Sequence, residues 1–456
     1  MGEEFIDSVW SGSSAQISAY LNCGGNINYR TKREDDIDRR IFGGDSALLI
    51  AACRNDMKIV ELLLNHGANV NIRDNEGSTA LIYSCRYFPL VQCLLNFGAD
   101  CNIINNRGEF ALMAAVKYQN PEVVQILLSH NAAVNLVSYN TTPLLVASSL
   151  NCPKIVQMLL HHKADMNARN SNGDTSLIVA CSCHHPPVVK MLIEFGANVN
   201  LQGYNGDTSL MVACRNNHEK RVELLLSHGA DPNICSDDGD TPLMLAVRNE
   251  AIEIVQMLID YSADVNAHRK SPFGDKETPL LLACKYGFTY ITKLLLQHNV
   301  DVNAQSKKRD TALIWASRNN HFEVIKLLLT HAAATINVNI QGSNGEIPLI
   351  YFCQKNNIEM VKLLLTHGAD ARIVPVGTRF NDSAMMYAKR NGNKEMIQLL
   401  HDNIIRWHHK REVLLLLAEN EYLPLATQPS RVKEGESRFN KLLSNTHLVT
   451  TMIGYL

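Results

Sequence analysis

The sequence predicts an all-α repeat solenoid: helix–turn–helix units with projecting hairpin fingers, followed by a short helical C-terminal tail. Three observations carry this reading. First, asparagine recurs at Asn71, Asn102, Asn135, Asn167, Asn200, Asn233, Asn266, Asn303 and Asn339, with gaps of 31, 33, 32, 33, 33, 33, 37 and 36 residues. A fixed period near 33 marks a repeat array. Second, each unit opens on a polar turn and a Thr or Ser, often followed by Pro and then Leu, as in Thr142-Pro143-Leu144, Thr241-Pro242-Leu243 and Thr278-Pro279-Leu280. Third, each unit closes on a Leu-rich run and a small-residue turn, as in Val222–Leu226 before His228-Gly229-Ala230.

Each element has a local cause. The Thr can cap a helix, and Pro suits the first helical position, where the backbone N–H would be unpaired anyway. A short apolar inner helix follows, then an outer helix. Gly at the end can take the left-handed conformation that terminates it. The composition agrees: 46% of residues are apolar and 19% charged, a globular balance. The net charge of −2 excludes a globally basic nucleic-acid binder. No apolar run approaches the roughly 20 residues that span a bilayer. The start, Met1-Gly2-Glu3-Glu4, lacks the basic-then-apolar order of a signal peptide. The 12 cysteines are therefore expected to be reduced thiols in a cytoplasmic protein, with the nucleus as the alternative.

These residues resemble the ankyrin repeat, whose pattern is Thr-Pro-Leu-His, two small residues, a Leu-Leu pair and Gly-Ala-Asp-Val-Asn. The resemblance covers residues 44–402 as about eleven repeats, with residues 1–29 (Phe5, Ile6, Leu21, Gly25, Asn26, Ile27, Asn28) as a degenerate N-terminal cap. It implies a non-catalytic, protein-binding array with a long concave face. One departure is systematic. The motif's His is replaced throughout: Leu49, Ile82, Met113, Leu145, Ile178, Met211, Met244, Leu281, Ile314, Ile350 and Met386. Bracing between turns is accordingly expected to rest more on packing.

The period is interrupted in three places. Residues 30–43 insert a charged stretch between the cap and the first full repeat, read as a solvated loop. His268 to Lys276 lengthens one finger and carries Phe273. After residue 402 the repeat grammar stops. Residues 403–419, with Trp407, read as a capping helix, 420–436 as a linker and 437–456 as a second helix. Exposed array ends need such covers. The spacing of Leu448, Ile453 and Leu456 resembles one helix of an F-box, which would make the tail a recruiter of a ubiquitin ligase or other machinery.

Chemistry-bearing residues mostly fall on repeat slots. Cys85, Cys181, Cys214, Cys284 and Cys353 share one inner-helix position, where free Cys packs as a small hydrophobe. Histidines 66, 130, 162, 228, 298, 331 and 367 share the C-terminal end of the outer helix, facing its negative dipole. Cys181-Ser182-Cys183-His184-His185 has zinc-ligand chemistry but not the spacing of a structural zinc site, and structural turn residues are the preferred reading. No nucleophile–base pairing and no phosphate-cradling loop appears, so no catalytic residue, metal or cofactor is expected. The Leu63 to Asn71 segment resembles targets of asparaginyl hydroxylases.

The charge pattern points to the binding face. The residue before the Thr slot is acidic in nine of eleven repeats: Asp45, Glu109, Asp174, Asp207, Asp240, Glu277, Asp310, Glu346 and Asp382. The other end of the inner helix is basic in nine: Arg54, Arg86, Lys117, Arg215, Arg248, Lys285, Arg318, Lys355 and Arg390. Acid at the start and base at the end both complement the helix dipole. They would also present two parallel charged ribbons, with Tyr87, Tyr118 and Tyr286 interleaved, to an extended or mixed-charge protein partner. A nucleic acid would meet the acidic ribbon. The basic ribbon breaks at Ser149-Leu150 and Ser182-Cys183, near Tyr139 and Tyr204, and this neutral window is the expected hot spot. The candidate contact residues are Arg86, Tyr87, Lys117, Tyr118, Tyr139, Leu150, Tyr204, Arg215, Arg248, Lys285, Tyr286 and Arg318. The chain is expected to be a monomer by itself and to insert into no membrane.

Overall fold

The computed structural model describes residues 2–31, 44–269, 276–343, 345–375 and 383–422. Among these residues there are 24 α-helices and no strand, only four isolated β-bridges at finger bases. The fold is an all-α repeat solenoid. It divides into two compact units, Met1–Asp237 and Asp238–Leu456.

The first unit begins with the helices Gly2–Ser11 and Ser14–Asn22, which bury Phe5, Ile6, Val9 and Ile17. Phe5 stacks on Tyr20 at 4.3 Å between ring centroids. The sixth repeat shows how each later pair is built. Thr208 is extended, and its hydroxyl accepts the Met211 N–H at 3.3 Å, starting the inner helix Ser209–Arg215. Leu210, Met211, Ala213 and Cys214 are buried. A helix of two turns is too short to persist alone, so packing against neighbours must hold it. The outer helix Glu219–Ser227 buries Val222, Leu225 and Leu226, spaced to form one apolar face. Each such side chain contributes about 1.5–3 kcal/mol on burial.

The outer helices end in a repeated way. The Nδ1 atoms of His66, His130, His162, His228 and His367 lie 2.8 to 2.9 Å from the carbonyl four residues earlier. The imidazole thus satisfies one of the orphan carbonyls of the last turn. Gly67, Gly196 and Gly229 follow at φ of 82 to 89°, with open space where a Cβ would stand. Backbone conformation, not crowding, selects glycine there.

Turn-to-turn bracing departs from the packing expected in place of the motif's histidine. The replacing residues Leu145, Met211, Met244 and Leu281 are indeed buried, but successive fingers are also hydrogen-bonded. Asn106 N–H donates to Glu76 O at 2.8 Å, Arg73 to Ile104 O at 2.8 Å, and Gln202 to Cys235 O at 2.9 Å. The periodic asparagine is a second brace. Asn200 donates to Gly229 O at 3.0 Å and accepts the Asp231 N–H at 2.8 Å, and Asn339 repeats this on Gly368 and Asp370. A short amide at a fixed spacing reaches both backbone groups of the next repeat, which explains the period.

The second unit carries the same pairs, from Pro242–Arg248 onward. Its last helix runs from Lys394 to Tyr422 without a break, across the boundary that the sequence pattern suggests at residue 403. Met396 and Leu400 are buried on its first turns. Further along, the Arg372 guanidinium sits 3.0 Å from the centre of the Trp407 ring and also pairs with Asp370 at 2.6 Å. Burial would raise the Asp370 carboxyl, but its bonds to Arg372 outweigh that and hold it below the usual carboxylate range. The charged insertion beyond Thr31, Phe273, the linker beyond Tyr422 and the expected helix 437–456 lie outside the described residues.

Candidate functional site

From Glu109–Lys117 to Asp310–Arg318 the two charged slots are eight residues apart, and the inner helix of seven or eight residues brings them to the same turn. They are bonded to each other. Lys117 pairs with Glu109 at 2.8 Å, and Arg215 grips both carboxylate oxygens of Asp207, Nη2 to Oδ1 at 2.9 Å. In the second unit Arg248 holds Asp240 at 2.7 Å and Glu277 at 3.3 Å, and Lys285 holds Glu277 at 2.8 Å. Arg318 holds Asp310 with Nη2 at 3.0 Å and Glu346 with Nε at 2.8 Å. Burial works against the Arg318 and Arg248 charges, but the paired carboxylates outweigh it and hold both above their ordinary value. The ribbons are therefore a cross-linked ladder rather than two free stripes. Arg215, Arg248, Lys285, Arg318 and Lys117 reach a partner only in competition with their own acids.

Other basic slots rest on rings. The Arg86 guanidinium lies 4.4 Å from the centre of the Tyr118 ring, and Arg54 lies 4.5 Å from that of Trp10. Lys285 lies 5.0 Å from the centre of the Trp315 ring. Such contacts contribute about 0.5–1 kcal/mol when exposed. Tyr87 and Tyr286 are exposed in the inter-helix turns, and Tyr286 lies 5.6 Å from Phe288. Tyr290 is more exposed than any of these, at 76%, and the sequence reading omits it. Trp315 was legible as one of a series: Tyr83, Trp315, Tyr351 and Tyr387 all stand four residues after the Thr slot.

In the neutral window the polar groups turn inward. Ser149 and Ser182 donate their hydroxyls to their own helix carbonyls, at 2.8 and 3.0 Å. Leu150 caps the helix Pro143–Ser149 and is partly exposed. Tyr139 stands on a finger tip at φ 48° with 74% of its surface exposed, and Tyr204 on the finger after the next shows 60%. Large apolar surface is left open where the ion-pair ladder stops.

The Cys181–His185 cluster resolves into separate structural positions. Cys181 is buried, and burial raises its thiol to about 12. Cys183 ends the inner helix and is exposed. His184 takes the left-handed turn position, φ 64°, that Asn55, Asn151, Asn217 and Asn320 take elsewhere. His185 precedes the outer helix, and its Nε2 lies 3.0 Å from Ser149 O of the previous repeat. The His184 ring meets His218 edge-on at 4.4 Å. Burial, then Arg221 and His184, lower the His218 pKa. Among the described residues no group of three His, Cys, Asp or Glu side chains is placed to hold a metal ion. No helix among them is long and apolar enough to cross a membrane.

A family model for ankyrin repeats (3 copies) matches residues 6–103, 86–170, 162–235, 177–269, 267–340 and 334–411. A comparison with curated proteins found no match.

Proposed function

The chain belongs to the ankyrin-repeat family, and we propose that it is a non-catalytic scaffold or adaptor whose partner docks on the fingers and inner-helix turns around the neutral window. Ankyrin repeats generally mediate protein–protein interaction, and the family is typically non-catalytic. The observation that carries the narrower reading is the contrast in bonding. The slot charges at Asp207–Arg215 and from Asp240 to Glu346 are internally paired, whereas Tyr139, Leu150 and Tyr204 stand open between charged flanks. Partly exposed aromatics of this kind are the usual anchors of an interface. A phosphate backbone would have to release the basic side chains from their acids, so a protein is the better fit.

Quantitative affinity purification with the full chain and with Tyr139→Ala/Tyr204→Ala tests this. The tyrosine variant should lose the partners that the full chain retains, with its melting curve unchanged. Arg215→Glu/Arg248→Glu should instead lower the melting temperature, because it leaves Asp207, Asp240 and Glu277 beside new negative charge. Equal partner recovery by the tyrosine variant would sink the reading.

A further inference from the structure

Asp174 holds the acidic slot before the inner helix Ser176–Ser182. Its Oδ1 accepts the Tyr204 N–H of the next finger at 2.8 Å. Opposite stands Gly203, where a Cβ would overlap that oxygen and lie 2.9 Å from Ile178 Cδ1. The same cradle surrounds Asp310. A Cβ on Gly342 would meet Asp310 Oδ1 and would lie 3.4 Å from Ile314 Cδ1 and 3.6 Å from Arg318 Nη2. In that copy Arg318 closes the cradle.

At Asp174 no base among the described residues does. The residue eight positions on is Ser182, and the preceding repeat has Ser149 in its basic slot; both hydroxyls are bonded to their own helices. Arg169, on the same finger, directs Nη1 to Gly173 O at 2.8 Å and to Gln202 O. Among the described residues no cationic group lies within ion-pair distance of the Asp174 carboxylate.

We propose that Asp174 receives an arginine side chain of the protein partner, in the place that Arg215 and Arg318 take in their own repeats. This rests on the scaffold reading and names the chemistry of its anchor. The array itself specifies arginine. Within a repeat, three slot aspartates are held by arginine (Asp207–Arg215, Asp240–Arg248, Asp310–Arg318) and two slot glutamates by lysine (Glu109–Lys117, Glu277–Lys285). The forked guanidinium can bind both oxygens of a carboxylate, as Arg215 does on Asp207 and Arg318 on Asp310. Tyr204, exposed and tied by its N–H to the same carboxylate, offers a ring on which the guanidinium can stack.

Short random peptides displayed on phage, selected on the full chain and then titrated as synthetic peptides by fluorescence anisotropy, test the assignment. Asp174→Asn keeps the oxygen that accepts the Tyr204 N–H but removes the charge. Ser182→Arg supplies the missing base from within and fills the slot. The selected peptides should share an arginine. Replacing it with citrulline, or using either variant, should weaken binding about tenfold, while Tyr261→Ser, at an exposed tyrosine that ends the outer helix Ile252–Asp260, leaves it unchanged. Peptides that lack arginine, or that bind both variants like the wild type, overturn the assignment and leave the scaffold reading standing. Failure to select any binder counts against both.

Discussion

Residues 240–346 and residues 139–204 are built on one repeat and differ in how the inner-helix turn is closed. In the first, a base bridges the acid of its own repeat, and Arg248 and Arg318 also bridge the acid of the next, so the charges form two bonded runs, Asp240–Arg248–Glu277–Lys285 and Asp310–Arg318–Glu346, through bonds of 2.5 to 3.3 Å. In the second, serine, leucine and cysteine occupy the basic slots, and Leu150, Tyr139 and Tyr204 are left facing outward. The difference teaches that a periodic charge on a repeat surface can be bracing rather than an invitation. The open chemistry lies where the period lapses.

The largest effect should come from cutting the ladder. Asp310 is fully buried, 0% exposed, and Arg318 is its counter-charge. Arg318→Ala leaves that carboxylate, and Glu346, without it. Breaking a buried pair from one side costs about 3 kcal/mol, so the urea midpoint should fall clearly. A loss within the range of surface pairs would mean that the ladder braces little, and the comparison would break.

The cradle glycines sharpen it next. Gly203→Ala and Gly342→Ala each push a methyl group into the slot carboxylate, at a cost of about 2 kcal/mol by overpacking. Equal losses, read from the same denaturation curves, would show that the Asp174 cradle is as tightly built as its closed counterpart. A loss at Gly342 alone would mean that Asp174 swings away, and would remove the template for an arginine guest.

Thiol labelling then compares local opening. Burial raises Cys181 in the window and Cys284 in the ladder to about 12, so at about pH 8 both are neutral thiols. The thiolate is the nucleophile, and its fraction falls as pH drops below the pKa. Exposed Cys183 should alkylate first. Cys181 should follow before Cys284, because a turn without ion pairs opens at lower cost. The reverse order, measured by mass spectrometry over time, would contradict the idea that the window is the less braced region.

Much of this was legible in the residues. Thr208, His228 and Gly229 act on backbone groups within four residues, so cap, terminator and turn could be read directly. The charged slots were also visible, but not their bonding. That depends on the inner helix being short enough to bring residue i and residue i+8 together, and on the next repeat's approach. The matching of aspartate with arginine and glutamate with lysine was a signal in the sequence. Gly203 gave none, because its need arises from a carboxylate one finger away rather than from a positive φ. His184 could be read as a turn residue, but not as the occupant of the left-handed slot, usually Asn, which here carries an imidazole.

The smallest effect tests the edge of the ladder. Lys117 and Glu109 form the same i, i+8 pair as Arg318 and Asp310, at 2.8 Å, but their side chains are 45% and 35% exposed. Solvent screens such a pair, and holding two long side chains in one geometry costs entropy. Lys117→Ala should therefore lower stability by only ~0.5 kcal/mol, and added salt should erase most of that. Arg318→Ala, with its acid out of water, should stay salt-insensitive. If the two variants respond alike, burial is not what separates the braced region from the rest. The ladder would then be a repeated surface pattern of uniform, small effect, and its lapse at Ser149 and Ser182 would carry no mechanical meaning.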